Sequence, residues 1–161
     1  MNIRTTVLLL IASFFLSACV PKQYVKQNSA LIVFKTPTFR YADMGFIYEN
    51  QEEVKVEIYG SGQPLMSLEI LNGKVCMSLL ECMSKESFNK KVLSGMYPED
   101  ILENIFRGKA IFNAEGLEKN SNGFTQILRS KNKYDIHYTV LNKRILFRDT
   151  MNAILIKVEK Q

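Results

Sequence analysis

The chain has 161 residues, of which 47% are hydrophobic and 23% are charged, and its formal net charge is +5. This composition is typical of one globular domain and excludes a disordered or collagen-like chain. Charges of both signs are interspersed, so we expect no nucleic-acid partner. The single His excludes a histidine-rich metal site.

Residues 1–18 have the pattern of a signal peptide. Arg4 precedes an apolar stretch, Thr5–Leu16, that is too short to cross a bilayer as a helix. The stretch ends in Leu16-Ser17-Ala18-Cys19, which resembles the lipobox of bacterial lipoproteins. This resemblance implies cleavage before Cys19 and covalent attachment of a diacylglyceryl group and an acyl chain to that residue. The alternative is an ordinary secretory signal followed by an incidental Cys.

Lipidation would leave a domain on a membrane anchor, because two or more acyl chains hold a protein firmly in a bilayer. We expect residues 19–29 to form the lipidated Cys and a polar tether, and residues 30–161 to form one domain. Val20 follows Cys19, whereas Asp at that place resembles an inner-membrane retention signal. We therefore expect an anchor in the outer membrane, with the domain facing the periplasm and outer-membrane lipid as its partner.

The first half of the domain alternates as an antiparallel sheet does. In Glu53–Tyr59 the apolar residues occupy every second position, so the strand has one buried and one wet face. Asn72-Gly73 predicts a hairpin of type I′, in which both central residues have a positive φ. The predicted strands are Ala30–Thr36, Phe39–Glu49, Glu53–Tyr59, Pro64–Leu71 and Lys74–Leu79.

Two cysteines, Cys76 and Cys82, lie six residues apart near the end of this region. The periplasm is oxidising, so we predict a disulfide between them. The alternative is a pair of buried thiols, since free Cys packs as a small hydrophobe.

Two helices follow. The first, Ser84–Leu93, has Ser84 as a cap and ends before Gly95. The second, Pro98–Arg107, has Pro in its first turn and Gly108 after its last residue. Its apolar residues are spaced to form one stripe: Ile101, Leu102, Ile105 and Phe106.

Strands resume after the helices, and the fold class is α+β. We predict a strongly curved antiparallel sheet of about nine strands, with the two short helices covering its concave face. The interior is either a solid core or an apolar pocket. The later strands are Ala110–Asn113, Phe124–Arg129, Tyr134–Leu141, Arg144–Phe147 and Ala153–Val158, with a polar loop over Glu115–Asn122.

Two segments, EIYGSGQPLMSLEI and YPEDILENIFRGKAIF, are similar to LolB, the lipoprotein-receptor family of the outer membrane, and to LolB-like relatives. The similarity runs from about Phe39 to Phe112. It implies an open half-barrel with helices over its mouth. It also implies that the cavity takes acyl chains of other lipoproteins from a periplasmic carrier and releases them into the outer membrane, with no covalent step.

The resemblance and the apolar pattern together predict which residues bind lipid. By position, Pro64, Leu65 and Met66 match the family's membrane-inserting loop, and the alternative is an ordinary strand start. The predicted lining of the cavity is apolar throughout: Phe46, Val56, Ile58, Met66, Leu68, Ile101, Leu102, Ile105 and Phe106.

An enzyme is not expected. Asp135 and His137 share one face of a predicted strand, but no Gly-flanked nucleophilic Ser accompanies them, and no phosphate-binding or dinucleotide motif occurs. We expect no catalytic residue, no metal and no cofactor beyond the lipid on Cys19, in a monomer. The competing interpretation is a lipid-anchored periplasmic scaffold with a solid core and no ligand.

Overall fold

The computed structural model describes residues 24–78 and 80–161. The predicted signal peptide, Cys19 and Leu79 lie outside the described residues. The strands are β1 (Lys26–Lys35), β2 (Arg40–Glu49), β3 (Val54–Gly60), β4 (Gln63–Leu71), β5 (Lys74–Met77), β6 (Leu80–Ser84), β7 (Leu117–Asn120), β8 (Gly123–Ser130), β9 (Tyr134–Leu141), β10 (Arg144–Asp149) and β11 (Ile154–Lys160). The helices are α1 (Lys85–Val92) and α2 (Ile101–Arg107), and a short turn, Phe112–Ala114, follows them.

All eleven strands form one antiparallel sheet in the order β6-β5-β4-β3-β2-β1-β11-β10-β9-β8-β7. Two meanders of consecutive strands are joined in the middle, where β1 pairs with β11. The edge strands β6 and β7 do not pair with each other, so the sheet is not closed. The antiparallel α+β class is confirmed.

The predicted count of nine strands was wrong. β6 and β7 were missed because neither alternates: both lie at an edge of the sheet and are largely exposed. The predicted strand Ala110–Asn113 does not form. Phe112, Asn113 and Ala114 instead take positive φ values of 47°, 53° and 63°, which turn the chain sharply toward β7.

The strands bury one face and leave the other partly wet. On β3, for example, Val54, Val56 and Ile58 are buried, while Lys55 and Glu57 are half-buried on the opposite face. We call the buried side the covered face and the opposite side the outer face. Burial of the apolar side is the main stabilising contribution, at about 25 cal/mol per Å².

Both helices bury apolar residues against the covered face. Ser84 caps α1 as predicted, because its hydroxyl accepts a hydrogen bond from the Ser87 amide at 3.1 Å. Gly108 ends α2 as predicted, with φ of 65°, a conformation that favours Gly. The helix begins at Ile101 rather than Pro98, and Pro98 lies in the turn before it.

Helix α2 contacts both β3 and β10. These strands are four positions apart in the sheet, or about 19 Å at the usual strand spacing. A helix is only about 10–12 Å across with its side chains. The sheet must therefore bend around α2, which lies across its covered face.

The chain enters the sheet earlier than predicted. Strand β1 begins at Lys26, within the stretch expected to be a tether, because Lys26–Ser29 pairs with the end of β2. The Val25 amide donates to the Glu49 carbonyl at 2.9 Å, and the Tyr24 hydroxyl donates to Glu53 at 3.1 Å. The described fold thus starts five residues after Cys19. Within the described residues, no helix has the length and hydrophobicity needed to span a bilayer.

Candidate functional site: the covered face and its helices

Eight of the nine residues predicted to line a cavity lie on the covered face or on the helix that packs against it. Each is at most 1% exposed, and all belong to one continuous apolar cluster: Val56, Ile58, Met66, Leu68, Ile101, Leu102, Ile105 and Phe106. In this conformation their side chains pack among themselves and against the neighbouring strands.

The placement of Phe46 with this group was wrong. Ile47 takes the buried position on β2, so the alternation of the strand turns Phe46 to the outer face. There its ring lies 6.1 Å from Tyr48 and 5.9 Å from Tyr59, measured between centroids. Phe46 therefore belongs to an aromatic cluster on the opposite side of the sheet.

The segment Pro64–Met66 is part of β4 and not a loop. Met66 is buried on the covered face, whereas Leu65 is 46% exposed and packs over Gly60. These residues therefore form the start of an ordinary strand, which was the alternative to a membrane-inserting loop. They also lie far from the point where the chain enters the sheet, roughly 20 Å along β3 at 3.3 Å per residue.

We refer to residues 85–108, which include both helices, as the cover. At the end away from the chain entry, the buried hydroxyl of Tyr97 donates to Asp149 Oδ2. Asn152 Nδ2 donates to the same oxygen at 2.7 Å. The amides of Asp135 and Met151 donate to Oδ1 at 3.1 and 2.9 Å. Burial would raise the pKa of Asp149, but these hydrogen bonds outweigh it and hold the pKa below its usual value.

At the other end of the cover, Arg107 is the main polar attachment. Its Nη1 donates to the Asn50 carbonyl at 2.8 Å, and its Nε donates to Glu103 at 2.9 Å. Lys85 also pairs with Glu103, at 2.7 Å. Burial would raise the pKa of Glu103, yet the hydrogen bonds from Lys85 and Arg107 lower it. Polar contacts thus hold the cover at both ends, and its middle is held by apolar packing.

The segment after α2 is held by two buried polar side chains of the sheet. Gln126 accepts from the Ile111 amide at 2.9 Å and donates to the carbonyls of Ile111 and Glu115 at 3.0 and 2.7 Å. The Tyr138 hydroxyl donates to the Lys109 carbonyl at 2.9 Å. Nothing in the local sequence around a single Gln or Tyr in a strand predicts such a contact, so Gln126 and Tyr138 were missed. The Tyr97–Asp149 pair was missed for the same reason.

Cys76 and Cys82 form a disulfide that joins β5 to the edge strand β6, with an S–S distance of 2.04 Å. Elsewhere, Asp135 binds Arg129 at 3.1 Å and Thr150 at 3.0 Å, and His137 is exposed. The described residues contain no group of three or more His, Cys, Asp or Glu side chains able to hold a metal ion.

The chain was also compared with known proteins. A scan of protein-family models finds no match, and a search of curated proteins finds none either.

Proposed function

We propose that this chain is an outer-membrane lipoprotein, anchored through Cys19 and facing the periplasm, that binds acyl chains on the covered face of its sheet in the manner of LolB. The observation that carries the proposal is the placement of α2. A helix with a fully buried apolar stripe lies across an unclosed, bent sheet whose facing side chains are apolar. Moving the helix would expose an apolar trough suited to hydrocarbon.

The energetics of such binding are favourable. Each buried methylene contributes about 0.8 kcal/mol, so about a dozen methylenes would contribute roughly 10 kcal/mol. Part of this binding free energy is offset by the free energy needed to displace the cover, because α2 must leave the same apolar surface. Met66 and Met77 lie in the cluster, and Met side chains adapt to irregular apolar shapes. A ligand that replaces the helix contacts would therefore be held reversibly, as a carrier of acyl chains requires.

In this proposal the ligands are acyl chains of other lipoproteins, delivered by a periplasmic carrier and released into the outer membrane. No covalent step is involved, and no cofactor beyond the lipid on Cys19 is needed.

A second candidate function is a lipid-anchored scaffold with no ligand. It is favoured by one observation: all eight inward residues are at most 1% exposed. A protein whose own side chains permanently fill its interior would act through its surface.

An uptake experiment separates the two functions. Unacylated protein beginning at Val20 is mixed with a fluorescent fatty acid, and emission is followed to saturation. Uptake should approach one ligand per chain and should be lost in Leu102→Asp, which places a carboxylate between α2 and the covered face. The matched control Ile127→Asp, at a residue 47% exposed on the outer face, should leave uptake intact. Absence of uptake by the folded wild-type protein would favour the scaffold.

A further inference from the structure

A polar cavity of about 390 Å³ opens at the end of the sheet where the chain enters β1, a volume within the usual range for small ligands. It lies between the first residues of the fold, the end of β2 and the last turn of α2. Its lining residues are Val25, Lys26, Glu49, Asn50, Gln51, Glu103, Arg107 and Lys109.

Arg107, which lines this cavity, carries a donor that has no acceptor among the described residues. Arg107 uses Nε and Nη1 in the hydrogen bonds to Glu103 and Asn50, but its Nη2 is buried and has no hydrogen-bond partner among the described residues. The whole side chain is only 10% exposed. A buried donor left unpaired is costly, and native proteins rarely keep one without a ligand, a water or a functional reason.

The charges around the cavity favour an anion. Its two carboxylates are already neutralised: Glu49 pairs with Lys160 at 3.2 Å, and Glu103 pairs with Lys85 at 2.7 Å. The lining cations Lys26 and Lys109 are exposed and make no ion pair with any other described residue. The two lysines, and Nη2 of an arginine whose Nε is already paired with Glu103, therefore lie at a site whose two carboxylates both have a cationic partner.

Chain length places this site next to the membrane. Val25 follows Cys19 by six residues, which can span at most about 20 Å. If Cys19 carries acyl chains, the mouth of the cavity must lie within that distance of the lipid headgroups. Val25 is 80% exposed at the same mouth, and an apolar side chain among lysines is a pattern typical of a bilayer interface.

We propose that this cavity binds the phosphate group of an anionic phospholipid headgroup, held by Lys26, Lys109 and Nη2 of Arg107. The inference rests on the proposed lipidation of Cys19. A phosphate oxygen would accept the Nη2 hydrogen bond that no described residue accepts, because guanidinium groups bind phosphate well. Nη2 is closed to water in this conformation, so phosphate binding includes a small rearrangement around Arg107.

Lysine footprinting of the acylated protein tests the proposal. The protein is reconstituted into phosphatidylcholine vesicles with or without phosphatidylglycerol and treated with an acetylating ester, and each lysine is quantified by mass spectrometry. Phosphatidylglycerol should slow acetylation of Lys26 and Lys109 at least about fivefold, the factor equivalent to about 1 kcal/mol per basic residue at an anionic surface. Lys131 and Lys133, at the far end of the sheet, serve as internal controls and should change little.

Two further measurements distinguish a lipid headgroup from free phosphate as the ligand and test the role of Arg107. Inorganic phosphate added to phosphatidylcholine vesicles should not protect either lysine; protection by phosphate alone would overturn the headgroup assignment. Arg107→Lys keeps the charge but removes the Nη2 donor, so it should reduce the protection, whereas Arg129→Lys, on the exposed outer face, should not. Equal protection of all four lysines, or none, would also overturn the proposal.

The footprinting result can be distinguished from the result of the fatty-acid uptake experiment. The mass of the N-terminal peptide reports lipid on Cys19 directly, and the footprint does not depend on uptake of a second lipid. Site-specific protection in a protein that takes up no fatty acid would refute the carrier function alone. Fatty-acid uptake without protection would refute the headgroup site alone.

Discussion

Removing one buried hydroxyl should loosen the cover without disturbing its packing. In Tyr97→Phe the ring is kept, and with it the edge-on contacts to Phe112 and Phe147, whose centroids lie 6.3 and 6.0 Å away. What is lost is the hydrogen bond to the carboxylate of Asp149. Hydrogen bonds to charged groups contribute about 1.5–3 kcal/mol, so we expect the free energy of unfolding to fall by about 2 kcal/mol.

The size of this effect should depend on pH, because it requires the ionised carboxylate. The pKa of Asp149 in the folded protein lies below its usual value. A carboxylate whose pKa is lower in the folded protein than in the unfolded chain stabilises the fold when it is ionised. This contribution is fully present above the unfolded-state pKa of about 3.9, and it is lost as the pH falls through the pKa of the folded state. The difference between wild type and Tyr97→Phe should therefore be largest near neutral pH and should shrink below about pH 4.

Urea unfolding followed by circular dichroism, at neutral and acidic pH, measures both effects. Tyr41→Phe is the matched control, because the Tyr41 ring stacks on Phe39 while its hydroxyl has no hydrogen bond recorded among the described residues. An equal loss at both pH values, or a loss as large in the control, would refute the role given to the Asp149 carboxylate. If the cover admits ligand, Tyr97→Phe should also speed fatty-acid uptake.

Four further substitutions test the fold around the site. Gln126→Leu leaves three backbone groups unpaired, two of them on the buried Ile111, and should cost at least about 3 kcal/mol in urea unfolding; a change near zero would contradict the network. Gly45→Ala would place a Cβ 2.0 Å from a carbonyl oxygen of β3 and should prevent stable folding in a thermal melt. Gly95→Ala meets nothing closer than 3.6 Å and should stay within about 0.5 kcal/mol of wild type. Cys76→Ser opens a disulfide between residues six apart and should cost about 2 kcal/mol, an effect that a reducing agent should reproduce in the wild type and not in the variant.

The elements with strong local patterns could be predicted from the sequence. β3 alternates because one side of it meets the core, and the cap at Ser84 and the terminator at Gly108 satisfy helix ends locally. The hairpin at Asn72-Gly73 was also predicted, but of the two only Gly73 has a positive φ, so type I′ was wrong. The side of the sheet on which Phe46 lies was predictable in principle, because successive residues of a strand point to opposite faces.

Elements defined by distant partners could not be predicted. β6 and β7 are strands because a neighbouring strand supplies their hydrogen bonds, and their exposed positions need no apolar alternation. The first residues of β1 are polar for the same reason. Tyr97 and Asp149 lie 52 residues apart, and nothing in either local sequence indicates the other. The burial of Arg107 Nη2 without a partner among the described residues likewise follows from tertiary packing alone.

Photolabelling with a fatty acid that carries a light-activated group would show where on the protein an acyl chain binds. Unacylated protein is saturated with the probe, irradiated and digested, and the labelled residues are mapped by mass spectrometry. An acyl chain bound beneath the cover should label α2, at Ile101, Leu102, Ile105 or Phe106, and the facing residues of β3 and β4. Labelling confined to the outer face around Phe46 and Tyr48, or no labelling above that of unfolded protein, would contradict acyl-chain binding beneath the cover.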